Sequence, residues 1–181
     1  MQTYNNVPYV VVNHVEMLPP VLANPLALFK NLGMALPWKQ KMERLTEEIL
    51  KLPEADIQTI HKFEDGLYHR TVIIPAGVVC TGAEHKTPYT VIVHKGTITV
   101  NTDEGIKTIT APAQMEVAVG MERAGLTHDE EVMWTDIYVN EDNCKDLTIL
   151  EDRLYVIPKC GLYDARKRLG HTVVPSIEEK K

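Results

Sequence analysis

Tyr68 and Arg70 are two residues apart in a stretch of β-type sequence, and side chains at that spacing point to the same face of a strand. A guanidinium group binds a carboxylate or a phosphate through two parallel hydrogen bonds, and a tyrosine beside it can stack or hydrogen-bond. If this face points into a barrel, the two side chains can hold an anion. The alternative is that Arg70 forms an ion pair with a local carboxylate such as Glu64 or Asp65.

Other catalytic templates are absent from the sequence. It has no G-x-S-x-G motif, no G-x-G-x-x-G motif and no phosphate-binding P-loop. The three cysteines, Cys80, Cys144 and Cys160, include no C-x-x-C pair, which argues against a disulfide framework and against a cysteine-rich zinc site. We interpret Cys80, which follows an apolar strand, as a small buried hydrophobic residue.

Hydrophobicity alternates with a period of two between residues 57 and 140. Six segments there are rich in β-branched residues and separated by turn residues, which predicts short strands. Lys95-Gly96 and Asp103-Glu104-Gly105 are turn signals of tight hairpins. Six or more short strands at regular spacing predict a sandwich or a barrel. The six segments are residues 71–74, 89–93, 97–100, 106–109, 115–119 and 132–137.

An irregular arm and two helices flank the predicted strands. Residues 1–37 contain five prolines among apolar residues, and we expect an arm that lies on its own domain or on a neighbouring subunit. Between Pro37 and Pro53 an apolar stripe at intervals of three and four predicts a helix, which we expect to pack on the domain's own sheet. Pairing of this stripe with a second copy is the alternative. A second, short helix is predicted at residues 146–155. The stripe consists of Trp38, Met42, Leu45, Ile49 and Leu52.

Two groups of residues carry a resemblance to a known family. The first group is Pro75-Ala-Gly77, a short strand, His85 and the hairpin at Gly96, and the second is Pro112, a strand and Gly120-Met-Glu-Arg123. Together they resemble the two motifs of the cupin superfamily, which implies a double-stranded β-helix of the jelly-roll type. More narrowly, residues 61–70 and the turn at residues 75–77 look like small cupin-like proteins encoded by tailed bacteriophages. The resemblance covers about residues 57–140.

The resemblance also implies a metal site, which this sequence does not reproduce. Metal-dependent cupins place a His-x-His pair and a carboxylate in the first motif and one more histidine in the second. Here the first histidine is His85, but the second position is Thr87. The carboxylate position falls near Val91 or Ile92, and the last histidine is replaced by Arg123. Threonine is a poor ligand and a guanidinium keeps its positive charge, so we expect no standard metal site and no cofactor.

Arg123 suggests a different chemistry at the same place. If Tyr68 and Arg70 point inward, Arg70 and Arg123 can hold an anion in the barrel mouth, with Tyr68 and His85 beside it. We therefore predict that Tyr68, Arg70, His85 and Arg123 bind a ligand, with no catalytic residue and no metal ligand. The alternative for Arg123 is an ion pair with a carboxylate such as Glu116.

Three other histidines, His61, His69 and His94, lie in the same predicted sheets and are candidates for a metal site with unusual ligands. For His61 we favour a core histidine with a satisfied ring nitrogen. For His94 we favour an exposed residue beside the Lys95-Gly96 turn.

The charge distribution argues against nucleic acid as a partner. Residues 55–151 carry sixteen acidic and seven basic side chains, a net charge of −9 that repels phosphate backbones. No apolar run approaches the ~18 residues of a membrane span, and the first residues lack the pattern of a signal peptide. We expect a protein of the reducing cytoplasm without membrane contact.

The sequence thus predicts a mainly β, cupin-like jelly-roll barrel over residues 56–140. An arm and helix over residues 1–55 precede it, and a helix and tail packed on the barrel follow over residues 141–181. We interpret the chain as a non-catalytic binding or interaction protein, of phage origin, that holds a small anionic ligand or contacts a host or virion protein. The alternatives are a metal-dependent oxygenase or isomerase that uses His85, and a structural component of the virion. We expect self-association through the arm or the helix stripe.

Protein purified without a chelator should contain well under one equivalent of any transition metal, because three of the four ligand positions hold a threonine, an aliphatic residue and an arginine. Elemental analysis of the purified protein measures this directly. Stoichiometric iron, manganese, nickel or zinc that is lost in a His85→Ala variant would favour the metal enzyme over the binding protein.

Overall fold

The computed structural model describes residues 10–12, 36–49 and 55–156 of the chain. These residues form two helices, α1 (Trp38–Ile49) and α2 (Leu147–Leu154), and twelve strands. The strands are β1 (Val10–Val12), β2 (Gln58–Glu64), β3 (Leu67–Ile74), β4 (Val79–Thr81), β5 (Glu84–His85), β6 (Tyr89–Lys95), β7 (Thr97–Thr102), β8 (Gly105–Thr110), β9 (Ala113–Val117), β10 (Ala124–Thr127), β11 (Val132–Val139) and β12 (Tyr155–Val156).

The strand order is that of a jelly roll. One sheet runs β2-β3-β11-β6-β9, the other runs β1-β4-β10-β7-β8, and β12 pairs with β5. Numbered along the chain, the eight barrel strands β3, β4 and β6 to β11 occupy the orders 1-8-3-6 and 2-7-4-5 in the two sheets. This strand order arises from two interlocked Greek keys. It confirms the prediction of a cupin-like double-stranded β-helix.

Buried and half-buried side chains alternate along β3, and the register with β11 determines which polar side chains meet inside the barrel. The even-numbered residues of β3 are buried and the odd-numbered ones are only half-buried, as the period of two requires. β11 runs antiparallel beside β3, so that Tyr138 lies opposite Tyr68 and Asp136 lies opposite Arg70. The predicted shared face of Tyr68 and Arg70 therefore points into the barrel.

Helix α1 packs on its own domain, as expected. Met42, Leu45 and Ile49 of its apolar stripe are fully buried, and the hydroxyl oxygens of Thr46 and Thr81 lie 3.3 Å apart between the helix and β4. Leu52, the last residue of the predicted stripe, lies outside the described residues. The stripe is used inside one copy of the chain and is not available for pairing with a second one.

The predicted N-terminal arm lies mostly outside the described residues. Its described segment, β1, pairs antiparallel with β4 and extends the second sheet by one strand. The chain at this point therefore lies on its own sheet, which is one of the two placements that the sequence left open.

Helix α2 and strand β12 close one end of the barrel. The Asp146 carboxylate caps the helix by accepting hydrogen bonds from the backbone N–H groups of Thr148 and Ile149 at 2.9 and 3.3 Å. Leu150 and Leu154 are buried in the core, and Tyr155 follows them into β12, opposite His85. The predicted C-terminal helix thus positions a buried tyrosine against the barrel interior. Neither of the two described helices has the length and apolarity needed to cross a bilayer.

Removal of the α2 cap should destabilise the protein measurably. In an Asp146→Ala variant two backbone N–H groups lose their acceptor, and the free energy of unfolding should fall by about 1 kcal/mol. Urea unfolding followed by circular dichroism measures the change. Asp152→Ala removes the same charge from an exposed position of the same helix and is the matched control, for which we expect a change within ~0.5 kcal/mol. Equal losses in the two variants would contradict the capping role.

Candidate functional site

A buried ion pair lies at the centre of the β3–β11 ladder. Arg70 and Asp136 are 2% and 0% exposed, and Arg70 Nη1 lies 3.5 Å from Asp136 Oδ2. The Trp134 indole N–H donates to Asp136 Oδ1 at 2.7 Å. The partner of Arg70 is therefore neither of the local carboxylates that the sequence suggested, but a residue on the neighbouring strand.

Burial raises the pKa of Asp136, because a carboxylate loses its hydration inside the barrel. The positive charges of Arg70 and Arg123 and hydrogen bonds from Trp134 and Tyr138 act in the opposite direction. Asp136 is thus the one acidic group around which the polar side chains of the interior are arranged.

A row of aromatic rings crosses the same sheet on one side of the ion pair. The ring of Tyr138 is stacked between those of Tyr68 and Tyr89, with centroid distances of 5.8 and 5.1 Å. Phe63 extends the row on β2, 5.0 Å from Tyr68. Tyr155 covers Tyr138 edge-on, and their hydroxyl oxygens are 3.0 Å apart. The row forms an apolar wall whose hydroxyl groups hydrogen-bond to one another, to histidines or, for Tyr89, to Arg123.

His85 lies against this wall and is neutral at pH 7. It is 3% exposed, its ring stacks on Tyr89 at 4.1 Å, and its Nδ1 lies 3.3 Å from the Tyr138 hydroxyl. Burial, together with the charges of Arg123 and Arg70, lowers the pKa of His85 to about 3. His85 can therefore accept or donate a hydrogen bond in the interior without adding a charge.

His61 is half-buried, and one of its ring nitrogens is satisfied, as we favoured from the sequence. Its Nδ1 lies 2.7 Å from the Tyr68 hydroxyl, and burial together with the charge of Arg70 lowers its pKa to about 4. His94, by contrast, is exposed, and its Nε2 lies 2.9 Å from Thr135 Oγ1 on the outer face of the sheet.

A cavity of about 40 Å³ lies between the two sheets, beside His85. Its walls are mostly apolar, and only two of its lining residues, Gly82 and Arg123, are not fully buried. These two residues mark the mouth of the cavity. The apolar walls are formed by Val72, Ile74, Cys80, Ile98, Val100 and Gly125.

Gly125 lets two side chains of the cavity wall lie close to the backbone of β10. A Cβ atom at this position would lie 2.9 Å from Ile98 Cδ1 and 3.3 Å from Cys80 Sγ, closer than ordinary contacts. A side chain at residue 125 would therefore displace Ile98, which lines the cavity.

Arg123 stands at the mouth against an aromatic wall. Its Nη2 donates a hydrogen bond to the Tyr89 hydroxyl, and its guanidinium carbon lies 5.0 Å from the centroid of the Trp134 ring. Within the described residues no carboxylate lies within 4.0 Å of the guanidinium. The ion pair with Glu116 that was the alternative is not formed, since Glu116 accepts instead from the Thr90 hydroxyl at 2.8 Å.

The residue beside Arg123 in the sequence, Glu122, is only partly ionised near pH 7. Burial raises the pKa of Glu122 to about 7, the nearby carboxylates of Glu84 and Glu43 act in the same direction, and Lys39 opposes them. The charged groups that act on Glu122 are these three residues and do not include Arg123.

The structure divides the four predicted ligand-binding residues into two pairs. His85 and Arg123 line the cavity, whereas Tyr68 and Arg70 lie outside its lining, in the aromatic row and the ion pair. Arg70 cannot face a ligand at the mouth because Asp136 holds it inside the sheet. Of the four predicted residues, only Arg123 and His85 therefore remain in the candidate site. Other residues, which the sequence did not indicate, complete it.

Sequence reasoning missed three residues that complete the site, Trp134, Asp136 and Tyr89. Trp134 is a core residue, 5% exposed, but its ring also contacts the Arg123 guanidinium and its N–H donates to Asp136. A signal for Asp136 was present, because a charged residue shares the inward face of a predicted strand with Trp134. Tyr89 gave no signal other than its place at the start of a predicted strand.

The residues present do not fit a metal ion. Across residues 36–49 and 55–156 no three His, Cys, Asp or Glu side chains converge in a way that could hold one. The position that the resemblance assigns to a carboxylate falls near Val91 or Ile92, both aliphatic, and Val91 is fully buried and pairs with Asp136 across the sheet. His85 has a guanidinium and hydroxyl groups as its polar neighbours, and these are not a ligand set for a cation.

Comparison with known proteins gives likeness to solved barrels only. No family model and no curated protein matches the chain. A cupin-like protein from Thermotoga maritima is 12% identical, with 61% of this chain and 83% of that chain covered and a TM-score of 0.43. A Cupin 2 conserved barrel domain protein from Salinispora arenicola is 12% identical, with 49% and 79% covered and a TM-score of 0.41. An acetylacetone dioxygenase from Acinetobacter johnsonii is 17% identical, with 48% and 61% covered and a TM-score of 0.40. Each TM-score is below 0.5, so the fold assignment depends on the strand order of this chain.

The neutral state of His85 should appear in the pH dependence of stability. Unfolded His85 binds a proton near its ordinary pKa of 6.5, whereas folded His85 does so only near 3, so the unfolded state binds more protons between these values. The free energy of unfolding therefore decreases as the pH falls through this window. In His85→Phe the slope between pH 6 and pH 4 should be smaller by up to about 1.4 kcal/mol per pH unit.

Urea unfolding at a series of pH values measures both slopes, and the difference between wild type and variant separates His85 from the carboxyl groups that titrate in the same range. His128→Gln, which removes an exposed histidine, is the matched control. Identical slopes in wild type and His85→Phe would contradict a buried, neutral His85.

Proposed function

We propose that the chain is a non-catalytic cupin-like binding protein that holds a small anionic ligand at the mouth of its barrel, with Arg123 as the main contact. The observation that carries this proposal is the environment of Arg123. Its guanidinium group stands half-buried at the opening of a cavity with no carboxylate of the described residues within ion-pair distance. A partly desolvated cation without a counter-charge is costly, and a bound anion removes that cost.

Arg123 is also oriented for such a contact. The Tyr89 hydroxyl accepts from one of the five guanidinium N–H donors, and the Trp134 ring fixes the plane of the group. The other donors are available to a ligand. A guanidinium held in this way binds a carboxylate or phosphate bidentately without losing much further conformational freedom.

The ionisation of the cavity wall favours binding over acid–base catalysis. General acids and bases work best with a pKa near the operating pH. Burial lowers the pKa of His85 to about 3 and raises that of the Cys80 thiol to about 12, so neither group changes its protonation state near pH 7. The two ionisable side chains beside Arg123 in the cavity thus act as fixed neutral groups.

The proposal also covers the origin of the protein and its macromolecular partners. We propose phage origin, residence in the host cytoplasm and contact with a host or virion protein from the resemblance of residues 61–77. We propose that self-association uses the arm that precedes α1 or the barrel surface and not the stripe of α1, because that stripe is buried against β4.

Removal of Arg123 should abolish most of the anion binding. A buried, charge-assisted hydrogen bond contributes about 1.5–3 kcal/mol, so Arg123→Ala should weaken binding roughly ten- to a hundredfold. Arg123→Lys should recover only part of the affinity, because an ammonium group cannot reproduce the planar fork. Thermal-shift measurements with phosphates, nucleotides and small carboxylates identify a ligand, and titration calorimetry gives the affinities.

Arg44→Ala is the matched control, since Arg44 is exposed on α1 and its removal changes the net charge by the same amount. The proposal fails if no anion stabilises the wild type, or if one anion stabilises wild type, Arg123→Ala and Arg123→Lys equally. Arg123 is then a structural residue that holds Tyr89 and Trp134.

A further inference from the structure

The charges around the mouth select a ligand with one negative charge. Asp136 pairs with Arg70 and His85 is neutral, so among the residues that the structure describes around the cavity Arg123 is the one cation without a carboxylate within ion-pair distance. The carboxylate of Asp136 is itself close enough to interact electrostatically with Arg123. A second negative charge on the ligand would therefore meet a buried carboxylate and no second free cation, which disfavours dianions such as hydrogen phosphate and dicarboxylates.

The walls of the cavity select an apolar body behind that charge. Val72, Ile74, Ile98 and Val100 present only aliphatic carbon to the space, and the buried thiol of Cys80 is protonated. A phosphate or a sugar hydroxyl placed there would lose its water without gaining hydrogen bonds. An alkyl group loses nothing by the same transfer.

The size of the cavity limits the length of that body. An apolar cavity of about 150 Å³ holds benzene, with six carbon atoms. By the same ratio the cavity of about 40 Å³ has room for roughly two carbon atoms beyond the group that binds Arg123. Aromatic acids and long fatty acids are too large for it.

From these three features we propose that the ligand is a short aliphatic monocarboxylate of two to four carbon atoms. Its carboxylate forms the bidentate contact with Arg123, and its alkyl chain enters the space between Ile98, Val100 and Gly125. This inference rests on the proposed function, because it assigns the chemical class of the anion that Arg123 binds.

The inference can be tested by changing the size of the cavity in both directions. Gly125→Ala places a methyl group 2.9 Å from Ile98 Cδ1, the end of a flexible side chain, and pushes it into the space. Ile98→Ala removes three carbon atoms from the same wall of the cavity. The first change should favour shorter acids and the second should favour longer ones.

The experiment measures the binding of acetate, propionate, butyrate, hexanoate, benzoate, succinate and inorganic phosphate at constant ionic strength and pH 7. Titration calorimetry or ligand-observed NMR gives the dissociation constants for wild type, Arg123→Gln, Gly125→Ala, Ile98→Ala and the control Arg44→Gln. Circular dichroism shows which variants are folded, and either cavity variant alone is enough for the comparison of chain lengths.

For the wild type we expect the tightest binding for propionate or butyrate, at least tenfold tighter than for hexanoate, benzoate, succinate or phosphate. Dissociation constants near the millimolar range suit ligands of four to six non-hydrogen atoms. Arg123→Gln should weaken propionate at least tenfold, and Arg44→Gln should not. Each added CH₂ that Ile98→Ala accommodates should gain about fourfold, whereas Gly125→Ala should lose a similar factor for butyrate relative to acetate.

Three outcomes overturn the inference. If phosphate or succinate binds more tightly than every monocarboxylate and depends on Arg123, the ligand class is wrong while the proposed function stands. If monocarboxylates bind through Arg123 but neither folded cavity variant changes the order of chain lengths, the alkyl chain does not enter the cavity. If no anion binds, the proposed function fails together with the inference.

Discussion

The ion pair of Arg70 and Asp136 is the constraint to which the rest of the barrel interior conforms. Both side chains are almost completely buried, on adjacent strands and directly opposite in register. A buried pair stays charged only if both partners keep their hydrogen bonds and their mutual distance, since either charge alone would be very costly there. Trp134 and Tyr138, one on each side of Asp136 along β11, hydrogen-bond to the carboxylate and thereby acquire fixed positions. The orientation of the aromatic wall thus follows from the need to satisfy one carboxylate.

The same pair determines how the remaining ionisable groups behave. Because Asp136 already balances Arg70, the interior holds no free negative charge that could stabilise a protonated histidine, and both His61 and His85 stay neutral when buried beside arginines. Tyr89 and Trp134 then hold the second arginine, Arg123, at the edge of this environment without neutralising it. In place of the metal ligands that the resemblance implies, the chain has two arginines. Arg70 forms an ion pair with Asp136, whereas Arg123 has no carboxylate of the described residues within ion-pair distance. Under the proposed function, that difference changes the ligand from a cation to an anion.

Much of the fold was predictable because hydrophobicity alternates along the strands. All six predicted strands are present: β3, β6, β7 and β11 extend beyond the predicted segments at one end, β8 extends by one residue at each end, and β9 lies two residues earlier. Of the strands that the prediction did not place, β4 and β10 are short and carry no alternation, since all three residues of β4 are buried and β10 contains Gly125. The longer β2 alternates only in part. The site was only partly predictable. Periodicity assigned Arg70 to the inner face, but which carboxylate it meets depends on the register between β3 and β11, which no local pattern specifies.

The cavity and the partly buried Arg123 guanidinium each destabilise the free protein. Because the two lie side by side, one ligand can offset both costs. A void of about 40 Å³ costs on the order of 1 kcal/mol, and a larger side chain in its aliphatic wall would fill part of it. An aliphatic or uncharged residue in place of Arg123 would avoid the desolvation of a guanidinium over Trp134. A sequence that only had to fold would remove either defect with one substitution. A ligand with a negative head and a small apolar body removes both at once, because the same molecule fills the void and neutralises the charge.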